Sequence, residues 1–198
     1  MPAKILQFDQ GLDIAQKACE ELMGHQNSPI VLIDGRAGAG KSHFAKLLAE
    51  KLFQSERQLP KLIHMDDLYP GWEGLRAGSQ YLNHNILEPI NQGKQAHWQI
   101  WDWATSTRGA AGEPSNGWRS YDGGNLVVVE GCGSVSEQSR QLAQLCIWIE
   151  SDQDSRRARF SARDQGVFDE YFALWSIQED DFYSQENSQA LCDLVISN

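Results

Sequence analysis

Gly35-Arg36-Ala37-Gly38-Ala39-Gly40-Lys41-Ser42 is the stretch on which the reading of this chain turns. It satisfies the spacing G-x-x-x-x-G-K-[ST], and each fixed position has a physical reason. Glycine lets the backbone curl until successive N–H groups converge on one point, where phosphate oxygens can accept them. A lysine in the seventh place reaches the outer phosphates, and a hydroxyl in the eighth suits a magnesium ion. The flanks agree. Ile30-Val31-Leu32-Ile33 is a continuous apolar run bounded by breakers, as a strand buried on both faces requires. Residues 42–53 place Phe44, Leu47, Leu48 and Leu52 on one side of a helix. A helix starting there adds free N–H groups and the positive end of its dipole to the cradle. The motif predicts binding of a nucleoside triphosphate, read as Mg-ATP, by Gly35, Gly38, Ala39, Gly40, Lys41, Ser42 and His43. The side chains of Arg36, Ala37 and Ala39 receive no specific role.

Working outward, residues 9–23 read as a helix and residues 62–65 as a short strand ending in Asp66-Asp67. Residues 77–92 read as a helix and 97–103 as extended chain. Residues 105–125, rich in Gly, Ser and Asn, read as a long surface loop or small hairpin. Residues 126–129 and 145–149 follow as strands, then helices over about 152–164 and 169–183, and a last strand over 191–196. This alternation predicts an α/β fold of the P-loop NTPase kind, three layers α/β/α around a mainly parallel five-stranded sheet. The expected organisation is a single domain, 1–198, with an N-terminal helical region (1–28), an acceptor-side insertion (104–125) and a lid (152–165).

Bulk properties exclude several classes. The chain has 198 residues, 41% of them hydrophobic, and a net charge of -10, which argues against a nucleic-acid-binding surface. No apolar run approaches the roughly 18 residues that span a bilayer, and the start does not resemble a secretory signal. The expectation is a cytoplasmic protein without a membrane partner. Cys19, Cys132, Cys146 and Cys192 are widely spaced, which points to buried reduced thiols and not to a zinc site or disulfides.

Three further features concern the group that would receive phosphate. Asp66 and Asp67 end a strand downstream of the P-loop, where a carboxylate can take a proton from an attacking hydroxyl or hold a metal ion. Glu130 ends the strand Leu126-Val127-Val128-Val129 and suits Mg²⁺ together with Ser42. Arg156, Arg159 and Arg163 recur at spacings of three and four, so they share a helix face. In an acidic chain they read as a lid of catalytic cations over the transferring phosphoryl group. Trp72, Trp98, Trp101, Trp103 and Trp118 crowd this half of the chain and suggest a flat or aromatic acceptor.

With these residues in place, the chain resembles the uridine kinase and phosphoribulokinase group of P-loop kinases over most of residues 30–196. Asp66-Asp67-Leu68-Tyr69 looks like that group's D-[DS]-F-Y segment, and the resemblance implies that Asp66 is the catalytic base. Residues 86–103 resemble the stretch that ends in an aromatic-Asp-aromatic triplet, here Trp101-Asp102-Trp103, with Arg108 matching an arginine that follows. Glu130-Gly131 matches the E-G strand end, and Arg156, Arg159, Arg163 and Asp164 match the R-x-x-R-x-x-x-R-D lid helix. Cys192-Asp193-Leu194-Val195-Ile196 resembles the closing strand. The resemblance implies Mg-ATP as phosphoryl donor and Tyr69, Trp72, Trp101, Trp103 and Arg108 as acceptor-binding residues, with Lys41 catalytic and Asp66 also near the metal. It is also compatible with a homo-oligomer.

The chain departs from uridine kinases at the acceptor. Residues 69–80 lack the ribose-holding aspartate, the triplet begins with Trp101 in place of tyrosine, and Ser106 stands where a base-reading histidine would be. The expected function is therefore transfer of phosphate from ATP to a hydroxyl, of a nucleoside or related ribosyl or aromatic compound. Two other readings stay open from sequence. One is a nucleotide kinase, with Arg76, Arg108 or Arg119 gripping the acceptor's phosphate. The other is an ATP-binding regulatory protein without acceptor chemistry.

Overall fold

Every residue of Ile30–Asp34 is buried, yet the run serves two different cores. Ile30 and Leu32 join one apolar cluster, while Val31 and Ile33 join another. Side chains alternate across a strand, so an unbroken apolar run is what a sheet covered on both faces demands. The computed structural model describes residues 5–163 and 165–198.

The elements run β1 (Ile5–Gln7), α1 (Phe8–His25), β2 (Ile30–Asp34), α2 (Lys41–Glu56) and β3 (Lys61–His64). Next come α3 (Leu75–Leu82), a π-helical segment (Asn83–Leu87) and α4 (Glu88–Asn91). A run of short strands follows, β4 (Ala96–Gln99), β5 (Trp101–Asp102), β6 (Thr107–Arg108) and β7 (Trp118–Tyr121). The chain then forms β8 (Val127–Glu130), α5 (Glu137–Arg140), β9 (Leu145–Glu150), α6 (Gln153–Arg163), α7 (Tyr171–Glu186), α8 (Ser188–Leu191) and β10 (Leu194–Ser197).

The central sheet has the order β1-β10-β9-β2-β8-β3, and all its pairings are parallel. It has six strands where the sequence predicts five. The addition is β1, which pairs Leu6 with Ile196 at the edge. Three residues are too few to carry a period-2 signal, so tertiary pairing alone reveals this strand. α1 and α2 cover one face, burying Leu12, Ala15, Cys19, Phe44, Leu48 and Leu52 against Val128, Ile147 and Ile149. α3 and α7 belong to the other layer, where Leu82, Ile86, Trp98, Trp175 and Phe182 meet Val127, Val129 and Trp148.

The glycine-rich stretch after Trp103 is a layered hairpin. β4 and β7 pair antiparallel, Ala96 to Tyr121, and β5 pairs with β6, Trp101 to Arg108. Its antiparallel pairs lie outside the parallel sheet. β2 sits between β8 and β9, and the chain leaves β8 for β9 on the opposite side of β2. Such a reversal opens a crevice at the carboxyl ends of the strands, and the P-loop follows β2 there.

Candidate active site

A cavity of about 810 Å³ opens at those strand ends, walled by residues that follow β2, β3 and β8 and by α6 and α7. Gly38, Gly40, Lys41, Ser42 and His43 line one end. Gly38 and Gly40 have φ of 76° and 102°, which L side chains rarely adopt. At Gly38 space alone also forbids a side chain, since a Cβ would lie 2.1 Å from the carbonyl oxygen of Arg156. α2 begins on Gly40 with no side-chain cap, so its first amides remain available to an anion. Lys41 Nζ donates to the carbonyls of Gly35 (2.7 Å) and Arg36 (3.0 Å) and to Cys132 Sγ (3.4 Å). Burial works against its ammonium, but Cys132, Glu130, Glu179 and Asp34 outweigh that and raise its pKa. The lysine therefore stays charged.

Parallel register places His64 of β3 beside Glu130 of β8. Glu130 is 5% exposed and takes hydrogen bonds from Ser42 Oγ at 3.0 and 3.1 Å. His64 Nδ1 lies 2.6 Å from Glu130 Oε1, and this bond raises the histidine pKa although burial opposes it. A hydroxyl and a carboxylate in contact are the donors a hard cation takes, and Mg²⁺ usually completes its shell with water and phosphate. Among the described residues, no group of three or more His, Cys, Asp or Glu is placed to hold a metal ion.

Asp66 follows β3 in a 3-10 turn and lines the same cavity. Arg163 Nη1 of α6 lies 3.5 Å from its carboxylate. The Asp66 side chain is 66% exposed to the open cleft, whose walls still raise its pKa by displacing solvent; Glu130 adds to the rise, and Arg163 and Lys41 pull the other way. Asp67 also lines the cavity, and enclosure raises its pKa against the pull of His64.

The other end is aromatic. Trp72, Trp103, Phe168 and Trp175 line it, with Tyr69 beneath. Trp72 stacks on Tyr171 at 4.5 Å and 8° and meets Trp103 at 5.1 Å and Phe168 at 5.3 Å. Trp103 is 37% exposed, and its indole N–H donates to the Asp66 carbonyl at 2.9 Å. A large ring is thus fixed, open-faced, beside the carboxylate that could accept a proton. The Tyr69 hydroxyl donates to the Cys132 carbonyl at 2.7 Å, so Tyr69 offers the cavity its ring and not its hydroxyl.

Several residues singled out from sequence lie elsewhere. Gly35 and Ala39 are not on the cavity wall; the Gly35 carbonyl instead takes the Lys41 ammonium, and Ala39 is fully buried. Trp101 and Arg108 are also off the wall. Arg108 donates to the carbonyls of Leu68 (2.7 Å) and Gln99 (3.1 Å), with its guanidinium 3.7 Å above the Tyr81 ring. It braces the hairpin against the turn that carries Asp66. Trp101 packs behind it at 5.9 Å, with its indole nitrogen buried. Arg156 is 8% exposed and donates to the Ala37 carbonyl at 3.3 Å. α6 crosses the P-loop, so its first turns rest on the loop backbone, and Arg159 and Arg163 are the two arginines that reach the cavity. Asp164 lies outside the described residues.

Residues not singled out from sequence hold the site together. Asp34, fully buried, accepts from the amides of Gly35 (2.7 Å), Gly133 (3.0 Å) and Val135 (2.8 Å) and from the Tyr183 hydroxyl (2.7 Å). It ties the start of the P-loop to the loop after Glu130. Its place as the last residue of an apolar strand was the available signal. Glu179, Tyr183, Phe168 and Trp175 come from the α7 region, where no local motif marks them.

No protein-family model matches the sequence, and no curated protein matches it. Solved structures do. A protein of Bacillus stearothermophilus described as a "possible uridine kinase" is 16% identical, with 95% of this chain and 98% of that one covered and a TM-score of 0.62. The D-glycerate 3-kinase of Cryptococcus neoformans is 12% identical, covering 93% and 89%, with a TM-score of 0.53. The YGR205w protein is 10% identical, covering 98% and 95%, with a TM-score of 0.52. These likenesses show a shared fold, the P-loop NTPase arrangement of a mostly parallel sheet with helices on both sides. Among the described residues, no helix is long and apolar enough to cross a membrane.

Proposed function

We propose that the protein is an ATP-dependent small-molecule kinase that transfers the γ-phosphoryl group to a hydroxyl, of a nucleoside or a related ribosyl or aromatic compound. One observation carries the reading: Lys41, Ser42, Glu130 and Asp66 line one cavity whose far end is a fixed aromatic wall. ATP would lie with its phosphates over the Gly38–Ser42 amides. Ser42 and Glu130 would hold a Mg²⁺ ion, which neutralises phosphate charge when bound. Asp66 accepts the proton of the acceptor hydroxyl as its oxygen attacks the γ-phosphorus. The bond from that phosphorus to the bridging oxygen breaks, and ADP leaves with the electron pair. Lys41, Arg159 and Arg163 face the charge that spreads over the transferring group, so positioning and charge do most of the catalysis.

The three arginines that could have gripped an acceptor phosphate are engaged elsewhere. Arg76 bonds to Gln185 and pairs with Asp181 and Glu186. Arg119 pairs with Glu113, and Arg108 is held by main-chain carbonyls. This favours a hydroxyl acceptor over a phosphate one. The test is ADP release from Mg-ATP against a panel of nucleosides, nucleotides, vitamins and phosphosugars, with Lys41→Ala as blank. A hydroxyl compound should stimulate release in the wild type, and the variant should lose about a thousandfold or more, the scale of losing a major phosphate-stabilising charge. Stimulation by nucleotides alone would replace this reading with the nucleotide-kinase one. Tight ATP binding without turnover on any acceptor would favour a regulatory protein.

A further inference from the structure

Beneath the P-loop lies a carboxylate that the proposed chemistry does not use. Glu179 of α7 is completely buried. Its Oε1 accepts from the Ala37 amide at 2.6 Å and from Cys132 Sγ at 3.3 Å. Its Oε2 lies 3.6 Å from Arg36 Nη1 and 4.0 Å from Arg156 Nη1, with no hydrogen bond of its own. A buried charge survives only when it is paired, and here one carboxylate sits between two guanidiniums.

Both polar groups of one P-loop residue are thereby gripped. Glu179 holds the Ala37 N–H, and Arg156 holds the Ala37 carbonyl. The neighbouring residue is held as well: the Gly38 carbonyl accepts from Arg159 at 3.3 Å, and its α-carbon lies against the Arg156 backbone. Along α7, Trp175 one turn before Glu179 lines the aromatic end of the cavity, and Tyr183 one turn after it donates to Asp34.

We propose that Glu179 is a positioning residue which, with Arg156, locks the Ala37 end of the P-loop to the base of the lid as one body. The loop amides are then aimed before ATP arrives, and Arg156 acts through the loop, not on phosphate. Arg159 and Arg163 are the lid cations that meet the nucleotide. The inference rests on the ATP reading above, but its test needs no acceptor.

The experiment is titration calorimetry with Mg-ATP on wild type, Glu179→Gln, Arg156→Met and the double variant, with thermal unfolding followed in parallel. The glutamine keeps an acceptor for Ala37 but removes the charge that holds Arg156. Each single variant should weaken Mg-ATP binding about tenfold while still unfolding cooperatively. The double variant should be no weaker than the poorer single one, because both substitutions release the same lock. A folded Glu179→Gln protein with wild-type affinity overturns the proposal, as does a double variant whose loss is the product of the two. If Glu179→Gln fails to fold, Arg156→Met, which leaves Glu179 paired with Arg36, decides alone by the same affinity criterion. Failure of the wild type to bind Mg-ATP would overturn the nucleotide reading itself, a result distinct from either.

Discussion

At one end of the cavity, the cradle of Gly38, Gly40, Lys41, Ser42 and His43 comes from one short run of chain, and much of it is backbone. At the aromatic end, Trp72 follows β3, Trp103 stands on the hairpin, and Phe168 and Trp175 come from the α7 region. The first end is a local structure that a strand, a turn and a helix produce wherever they meet in that order. The second exists only after three distant segments have packed. A phosphate presents the same oxygens whatever it is attached to, so main-chain amides can form its cradle. Discrimination among acceptors requires side chains, and those can be replaced without disturbing the cradle.

The sharpest way to break this division is at the carboxylate between the two ends. Asp66→Asn should lower kcat by about 10²–10⁴-fold, the usual weight of a positioned general base. Mg-ATP affinity, measured by calorimetry, should change little. A variant with near-normal kcat would move the base to Asp67 or remove the base step.

Asp34 offers a test of the phosphate end by pH. Burial raises its pKa to about 6, although Val135, Tyr183 and Gly35 all donate to it. The folded chain thus holds this proton more tightly than the unfolded chain. The associated stability is complete below about pH 4 and is lost as pH rises through about 6. Two pKa units correspond to roughly 3 kcal/mol. Urea unfolding between pH 4 and 7.5 should show that component in the wild type and not in Asp34→Asn. The variant should also be less stable at every pH, since an amide cannot accept from so many donors at once. Parallel curves for the two proteins would contradict the assignment.

Arg108→Met tests whether the hairpin's arginine is brace or ligand. Loss of its two carbonyl contacts and its place over Tyr81 should cost about 2 kcal/mol in thermal or urea unfolding. The acceptor KM should not move. A raised acceptor KM with unchanged stability would return Arg108 to the acceptor end.

The smallest effect expected is at Trp103. Removing the ring by Trp103→Ala should raise the acceptor KM about fivefold to tenfold, the worth of one aromatic stacking contact, and leave the KM for Mg-ATP unaltered. Equal changes in both constants would mean that the ring shapes the whole cavity and not one end.

Residue pattern alone determined the P-loop, the strands and helices beside it, and the placement of Asp66 and Glu130 at strand ends. These follow from short-range rules: glycine freedom, the apolar period, and the fact that a parallel sheet presents its carboxyl ends to the ligand. The edge strand Ile5–Gln7 was not legible, because three residues show no period and acquire strand geometry only by pairing with Leu194–Ser197. Nor was the sorting of the three α6 arginines, Arg156, Arg159 and Arg163. Their spacing puts them on one helix face, but where that face lies along the P-loop depends on how α6 docks. Docking buries Arg156 against Ala37 and leaves Arg159 and Arg163 over the cavity. The same holds for Asp34, Glu179 and Tyr183, whose partners lie far along the chain. A buried charge has meaning only through the groups that surround it, and those groups are assembled by tertiary packing.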